Sequence, residues 1–386
     1  MAKLLAQMTV EELANALDAG EEMTLIDTRP PESYNAWHIE GATNIPYHPV
    51  DGLGAAWDWE RVSDLAATGP LVVICGKGLT STSFGFELGT RGYDDVRVVK
   101  GGMEDWSKLY EVVEVETGNP DLYLAQVQRR AKGCLGYVVG SRETNEAVVV
   151  DSTRQSEQFE LVAADAGMRV VGVCDTHVHA DHISGGRTLA SRLDVPYYMG
   201  SNATDRDVQY DFVALDDGES ISVGDVEIET LHAPGHTSDM VAYLVDGQAL
   251  LTGDTLFVES VGRTELQFGD NDAATGAELL YDTLHESILG LPDETRILPG
   301  HVSVDTEGRF GVAAPGQLVS ATVGELRESL DFLSMDETSF IERITGDLPE
   351  KPPNYERIIA LNTGRGSLEG EEEATQLELG PNNCAA

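Results

Sequence analysis

Lysine is nearly missing from this chain. Only six of its 386 residues are lysine, within 25 basic residues that face 67 acidic ones, and the formal net charge is −42. A surface of that sign repels phosphate, so nucleic acid and anionic membranes are excluded as partners. The acid is spread through both halves rather than gathered in one tail, which argues against a local interaction patch. Such a chain repels itself in dilute buffer and is best tolerated where salt screens it, so a salt-rich cytoplasm is the expected setting.

Long apolar runs are missing as well. No stretch reaches the roughly 18 consecutive apolar residues that a membrane span needs. The opening MAKLLAQMTVEEL has no basic region, sustained apolar core or small-residue cleavage site, so no secretory signal is expected. Cysteine is scarce: Cys75, Cys134, Cys174 and Cys384 stand apart with no CxxC pair, which suits a reducing cytoplasm. No internal repeat is visible. What is present is a hydrophobic fraction of 41%, ample for globular cores, in a length that points to two domains.

Between Thr9 and Tyr110 strand-like runs (TLID, LVVI, VRVV) alternate with helix-like stretches (VEELANALDAG, STSFGFELGTRG, MEDWSKLY). That alternation predicts a parallel sheet with helices on its faces. The acidic stretch that closes in Gly-Asn-Pro reads as a linker, placed at 114–122 between a first domain at 1–113 and a second at 123–366. In the second domain the pattern changes to hairpins: LGYVVG, SRETNE and AVVVD, then ISV, Gly224-Asp225 and VEIETL. A helix is predicted over SGGRTLASRL, and another pattern over QLVSATVGELRESLDFLS. The last segment, 367–386, is acidic and poor in large apolar residues, and is expected to be disordered.

Residues 175 to 182 read Asp-Thr-His-Val-His-Ala-Asp-His, and His236, Asp254 and His301 follow later. Histidine nitrogens and carboxylate oxygens are the donors that hold zinc or ferrous iron. Each piece follows a strand-like run (VVGVC, IETL, ALL, RIL), and loops at strand ends can converge on one point. In an extended segment His177, His179 and Asp181 would face one pocket, with His182 at the turn into the helix. His232, His38, His48 and His285 fall outside this set and are read as structural, as is Trp106.

Cys75 ends the run LVVI and precedes a helix-like stretch. A thiol there lies among free backbone N–H groups at the positive end of a helix dipole, which stabilises an anion. Gly76 and Gly78 let the loop curl inward, while Thr80 and Ser81 offer hydroxyl donors. With LIDTRPPESYNAWHIEGATNIP before it and GGMEDW after it, this region resembles the rhodanese family over residues 9 to 110. The resemblance implies that Cys75 carries a sulfane sulfur as a persulfide, cradled by Gly76, Lys77, Gly78, Leu79, Thr80 and Ser81. Lys77 would attract an anionic donor such as thiosulfate, and Asp27 and Arg29 would hold the framework.

HVHADH, APGHT, TGDTLF and LPGH, in that order, resemble the metallo-β-lactamase superfamily over about residues 123 to 305. The fold class expected is therefore α/β: a rhodanese-like parallel sheet with flanking helices, then an αββα metallo-β-lactamase-fold sandwich. The segment TLFVESVGRTELQFGD and the Pro-rich LPEKPPNYERIIALNTGRG resemble the persulfide dioxygenase branch. That branch implies one Fe(II) per chain on His177, His236 and Asp254, a geometry that leaves three positions open. His179, Asp181, His182 and His301 would orient ligands and move protons. Asp151 matches an aspartate that shapes the site. Arg263 matches a substrate-binding arginine and would grip a thiol carboxylate, or else make a loop ion pair.

The implied reaction takes a low-molecular-weight persulfide, O₂ and water to thiol and sulfite, with the Cys75 domain exchanging sulfur with thiosulfate or sulfite. The alternative is a glyoxalase II-type thioester hydrolase holding two Zn²⁺ on the same seven residues. The identity of the thiol is left open, since Val-Ser-Val follows His301 where glutathione-binding relatives carry a tyrosine. Homodimerisation is left open too.

Overall fold

The computed structural model describes residues 5–65, 69–269, 272–346, 351–352 and 354–381. The first part is a five-stranded, all-parallel sheet in the order Ala6–Met8, Val96–Val99, Leu71–Ile74, Thr24–Asp27, Thr43–Asn44. All four residues of Leu71–Ile74 are buried, as a central parallel strand covered on both faces requires. Helices Val10–Asp18 and Leu79–Thr90 supply the cover. Thr9 and Glu12 form a reciprocal capping box that starts the first of them.

The second part is two packed sheets. One has seven strands, in the order Val213–Leu215, Tyr197–Gly200, Arg169–Cys174, Glu146–Val150, Leu135–Ser141, Leu122–Arg129, Tyr110–Glu114. The other has six: Ser220–Val223, Val226–His232, Val241–Val245, Ala249–Gly253, Arg296–Pro299, Ala321–Thr322. Side chains from both inner faces, among them Tyr137, Val150, Ile228, Tyr243 and Leu298, make the central core. Helices Glu157–Asp165 and Gly186–Leu193 cover the outside of the first sheet. Ala273–Asp282, Val323–Ser329 and Glu337–Gly346 cover the outside of the second. The layers are thus helix, sheet, sheet, helix, as expected from the sequence. Both expected hairpins form, with Val138 opposite Val149 and Ile221 opposite Ile228.

Three boundaries differ from the sequence reading. Tyr110–Glu114, read as the end of the first domain, is the edge strand of the seven-stranded sheet, paired antiparallel to Leu122–Arg129. Only the turn between them is left of the linker, because alternation in YEVVE suits an edge strand as well as a connection. The long helical pattern of 317–334 breaks at Thr322, which caps a seven-residue helix, and continues as the short turn Asp331–Ser334.

The acidic tail is also ordered where it is described. Glu371–Leu377 is helical, Ala374 and Thr375 are buried, and Glu378 is 1% exposed. Composition counts acids but not the arginines that await them, here Arg129 and Arg154. Residues 382–386, including Cys384, lie outside the described residues. No helix among those described is long and apolar enough to cross a membrane.

Candidate functional site

The metal-ligand candidates sit at one rim of the sandwich, at the ends of four strands. His177 follows Arg169–Cys174, His236 follows Val226–His232, Asp254 follows Ala249–Gly253 and His301 follows Arg296–Pro299. All four are buried, as are His179, Asp181 and His182. Donor atoms of His177, His236 and Asp254 lie within 4.8 Å of one another.

Each of these three is held from behind. Thr176 Oγ1 donates to Asp151 Oδ2 at 2.9 Å, so at 3.0 Å from His177 Nδ1 it accepts that ring's proton. His236 Nδ1 donates to the carbonyl of Arg263 at 2.7 Å. Asp254 Oδ1 accepts from His301 Nδ1 at 2.5 Å. These bonds assign the tautomers, so the opposite atoms carry lone pairs. Those atoms, His177 Nε2, His236 Nε2 and Asp254 Oδ2, are buried without a hydrogen-bond partner. His236 Nε2 and Asp254 Oδ2 are 3.6 Å apart, a separation two ligands about 2.1 Å from one ion can span. Orphaned buried atoms are costly unless something meets them, so the residues fit a cation.

Electrostatics divides the set further. Burial, reinforced by the neighbouring His179 and His236, holds His177 well below the ordinary histidine range, and burial also lowers His236. Burial opposes charge on His301 and His182 too, but Asp254 and Asp181 outweigh it for the first, and Asp181 and Cys134 for the second, raising both well above that range. Burial resists ionisation of Asp254, yet His301 overcomes it and lowers the carboxyl. Two of the five histidines are thus neutral and three, His179 beside Asp151 included, are ion-paired.

A second group comprises Cys134, Asp181, His182 and His301. Asp181 Oδ2 is 3.0 Å from His301 Nε2 and 3.5 Å from the Cys134 thiol, and Asp181 lies 3.1 Å from His182 Nδ1. Burial and Asp181 push the thiol up, but His182 and His301 prevail and bring it down to about 7. A third group joins Asp151, Asp175 and His179, with His179 Nε2 3.2 Å from Asp151. Residues 176–182 bend rather than extend, yet their side chains stay together: the rings of His177 and His179 are 4.2 Å apart and those of His179 and His182 4.3 Å, while hydrogen bonding divides the set into three adjoining groups.

Arg263 is fully buried, and its guanidinium pairs with Glu265, with Nε donating at 2.5 Å. The loop ion pair, one of its two sequence readings, is present. The segment sits tightly under the centre, since a Cβ at Gly262 would fall 1.8 Å from the Asp254 carbonyl oxygen.

In the first domain Cys75 is buried, and its sulfur accepts from the Gly78 N–H at 3.1 Å and lies 3.3 Å from the Ser81 hydroxyl. The loop is clamped by Met103 N–H, which donates to the Cys75 carbonyl at 2.8 Å, and by Glu104 N–H, which donates to that of Gly76. Only glycine fits at 102, where φ is +64° and a Cβ would lie 2.1 Å from the Cys75 carbonyl oxygen. Lys77 points to Glu104 and Glu372, at 3.2 and 2.8 Å. Leu79 is exposed and Thr80 half-buried. Asp27 and Arg29 form the buried framework pair at 2.6 Å, and Arg29 also donates to the Trp37 carbonyl. His38 and His285 stack on Tyr34 and Tyr281, and His48 pairs with Asp51.

Sequence reasoning missed Cys134, Asp239, Asn362 and Glu378. Asp239 accepts from Val178 N–H at 2.7 Å. Asn362 donates to the carbonyls of His179 and His182 and accepts from Ser184 N–H. These contacts span 47 to 195 positions in sequence, and no local pattern signals them.

Comparisons with known proteins agree with this layout. Residues 9–109 match the rhodanese-like domain and residues 129–301 the metallo-beta-lactamase superfamily. Persulfide dioxygenase ETHE1 of Bos taurus is 32% identical over 188 residues, 48% of this chain and 70% of that protein. A hydroxyacylglutathione hydrolase of a Polaromonas species is 28% identical over 247 residues, 58% of this chain and 90% of its own. The crystal structure of ETHE1 from Myxococcus xanthus superposes with a TM-score of 0.53 at 28% identity, over 63% of this chain and 99% of that one. The chain joins a rhodanese-like domain to a metallo-beta-lactamase domain and belongs to the family of the ETHE1 persulfide dioxygenases.

Proposed function

We propose that the second domain is a persulfide dioxygenase holding one Fe(II) on His177, His236 and Asp254. The observation that carries this is the convergence of three buried, lone-pair-bearing atoms, each fixed from behind by a separate partner. Two histidines and a carboxylate are the donor set of non-haem iron oxygenases, and the iron would supply the sites at which persulfide sulfur and O₂ meet. The overall change is RSSH + O₂ + H₂O → RSH + SO₃²⁻ + 2H⁺. His301, between Asp254 and Asp181, is placed to keep the Asp254 carboxylate ionised and to pass protons toward Asp181. Asp181 pairs with His182 Nδ1 and lies 3.5 Å from the Cys134 thiol, while His182 Nε2 is itself buried without a hydrogen-bond partner, so the choice of one ion over two rests on the likeness to the persulfide dioxygenases.

A cavity of about 520 Å³ beside the Arg263 segment is lined by Glu265, Tyr355, Lys351 and Arg365. Glu356 lines it too, so its two cations stand beside two carboxylates and its charge selects no class of thiol. In the first domain Cys75 would take the outer sulfur of thiosulfate, Cys75–S⁻ + S₂O₃²⁻ → Cys75–S–S⁻ + SO₃²⁻, and pass it to a thiol. Gly78 N–H and Ser81 Oγ already address the sulfur position. We place both activities in the cytoplasm of a salt-adapted cell, on the charge of −42.

The second reading, a thioester hydrolase with two zinc ions, draws on the second donor group and on the hydrolase relative. Metal analysis after anaerobic purification separates the two. About one iron per chain, lost in His177→Ala and Asp254→Ala but retained in His182→Ala, is expected. Two zinc ions per chain, with His182→Ala losing one, would favour the hydrolase.

A further inference from the structure

The ligand loop is held by side chains from the far end of the chain. Residues 179 to 184 belong to no strand or long helix, so their backbone groups need partners from elsewhere. Asn362 serves His179, His182 and Ser184. The Ile183 N–H, directly after His182, donates at 2.8 Å to Glu378 Oε1. Glu378 follows the helix Glu371–Leu377 and lies beyond the segments matched by either domain family.

Its other oxygen is 3.4 Å from Arg129 Nη1 and 3.3 Å from Arg154 Nε. Burial resists its charge, yet the two guanidiniums keep its carboxyl below the ordinary range. Both arginines reach other parts of the site. Arg154 lies three residues after Asp151, which accepts from the Thr176 N–H at 2.7 Å. Arg129 donates from Nε to the Ser107 carbonyl in the rhodanese-like domain at 2.8 Å. A charge buried this deeply is disfavoured unless its partners compensate, and an apolar side chain would fill the space more cheaply. What an apolar residue lacks is an acceptor for the ligand loop.

We propose that Glu378 is a positioning residue for the metal centre. It fixes the backbone of the loop that carries Asp181, whose carboxylate backs His301 and so Asp254, and through Arg129 it ties that loop to the sulfur-transfer domain. The inference rests on the reading of His177, His236 and Asp254 as a metal site.

The test uses the full chain and Glu378→Met, which keeps length and volume but accepts no hydrogen bond. Fe(II) affinity is measured anaerobically by chelator competition, and amide exchange is followed at Ile183 and, as reference, across Ala249–Gly253. Cys75-dependent sulfur transfer from thiosulfate to cyanide reports folding of the first domain. The expected result is an affinity weakened about 10- to 100-fold, because a loosened loop misplaces Asp181, which backs His301 and through it the ligand Asp254. Exchange should quicken at Ile183 and stay unchanged at the reference strand. A loss of less than tenfold overturns the positioning role, whatever happens to stability. Should the variant fail to fold, the double Arg129→Met/Glu378→Met, which removes one stranded charge, is judged by the same criterion. If the unaltered chain takes up no iron, the metal-site reading itself fails. Exchange then decides for Glu378 alone, and an unchanged Ile183 amide overturns its role.

Discussion

Asn362→Ala should markedly destabilise the metal domain. The side chain is 8% exposed and makes three hydrogen bonds of 2.8 to 2.9 Å to the ligand loop. Alanine strands two carbonyls and one N–H. At about 1 kcal/mol for each lost bond in a buried setting, the metal domain should lose roughly 3 kcal/mol. For a domain of this size that corresponds to a fall of about 6–12 °C in its melting midpoint. Calorimetry of the full chain reads this directly, because the rhodanese-like domain has its own core and its transition should not move. Asn362→Asp should be worse than alanine, since a carboxylate would face two carbonyl oxygens. A shift below about 2 °C for alanine, or an aspartate variant as stable as the parent, would refute the reasoning.

Further outcomes follow from the same geometry. Cys75→Ser should abolish thiosulfate-to-cyanide sulfur transfer while iron content stays as in the parent. Glu372→Gln frees Lys77 from one of its two carboxylates, so KM for thiosulfate should fall at low salt, and the difference should fade above about 0.15 M salt, where screening is strong. His301 has its folded pKa raised by Asp254 and Asp181 against the opposing effect of burial. Its contribution to stability is therefore complete below the unfolded value of about 6.5 and is lost as pH rises through the folded value. In chelated protein, His301→Gln should thus lower the urea midpoint more at pH 6 than at pH 9; equal losses would contradict the ion-pair account. With its net charge of −42, the chain should gain melting temperature steadily with added KCl, and a flat response would remove the salt-adaptation reading.

Local pattern carried the architecture. Strands TLID, LVVI and VRVV, both hairpins and the helix after His182 are all visible as runs of period two or 3.6, because each buries one defined face. The candidate ligand set was legible for a similar reason, since His177, His236, Asp254 and His301 each follow a strand. The division of that set was not. Which of two neighbouring histidines is neutral depends on whether Thr176 or Asp181 stands behind it, and the chain bends sharply between them. Glu378 and Arg129 are 249 residues apart in number, and only the folded chain shows that one acid of an acidic tail is buried on an arginine. The strand Tyr110–Glu114 was misplaced because an edge strand and a linker share the same composition.

Oxygen uptake tests the central claim most directly. The anaerobically iron-loaded chain, given a glutathione-type persulfide and then air-saturated buffer, should consume one O₂ for each sulfite formed. His236→Ala should consume none, and Cys75→Ser should match the parent. No oxygen uptake by an iron-loaded parent that instead hydrolyses a glutathione thioester would contradict the account.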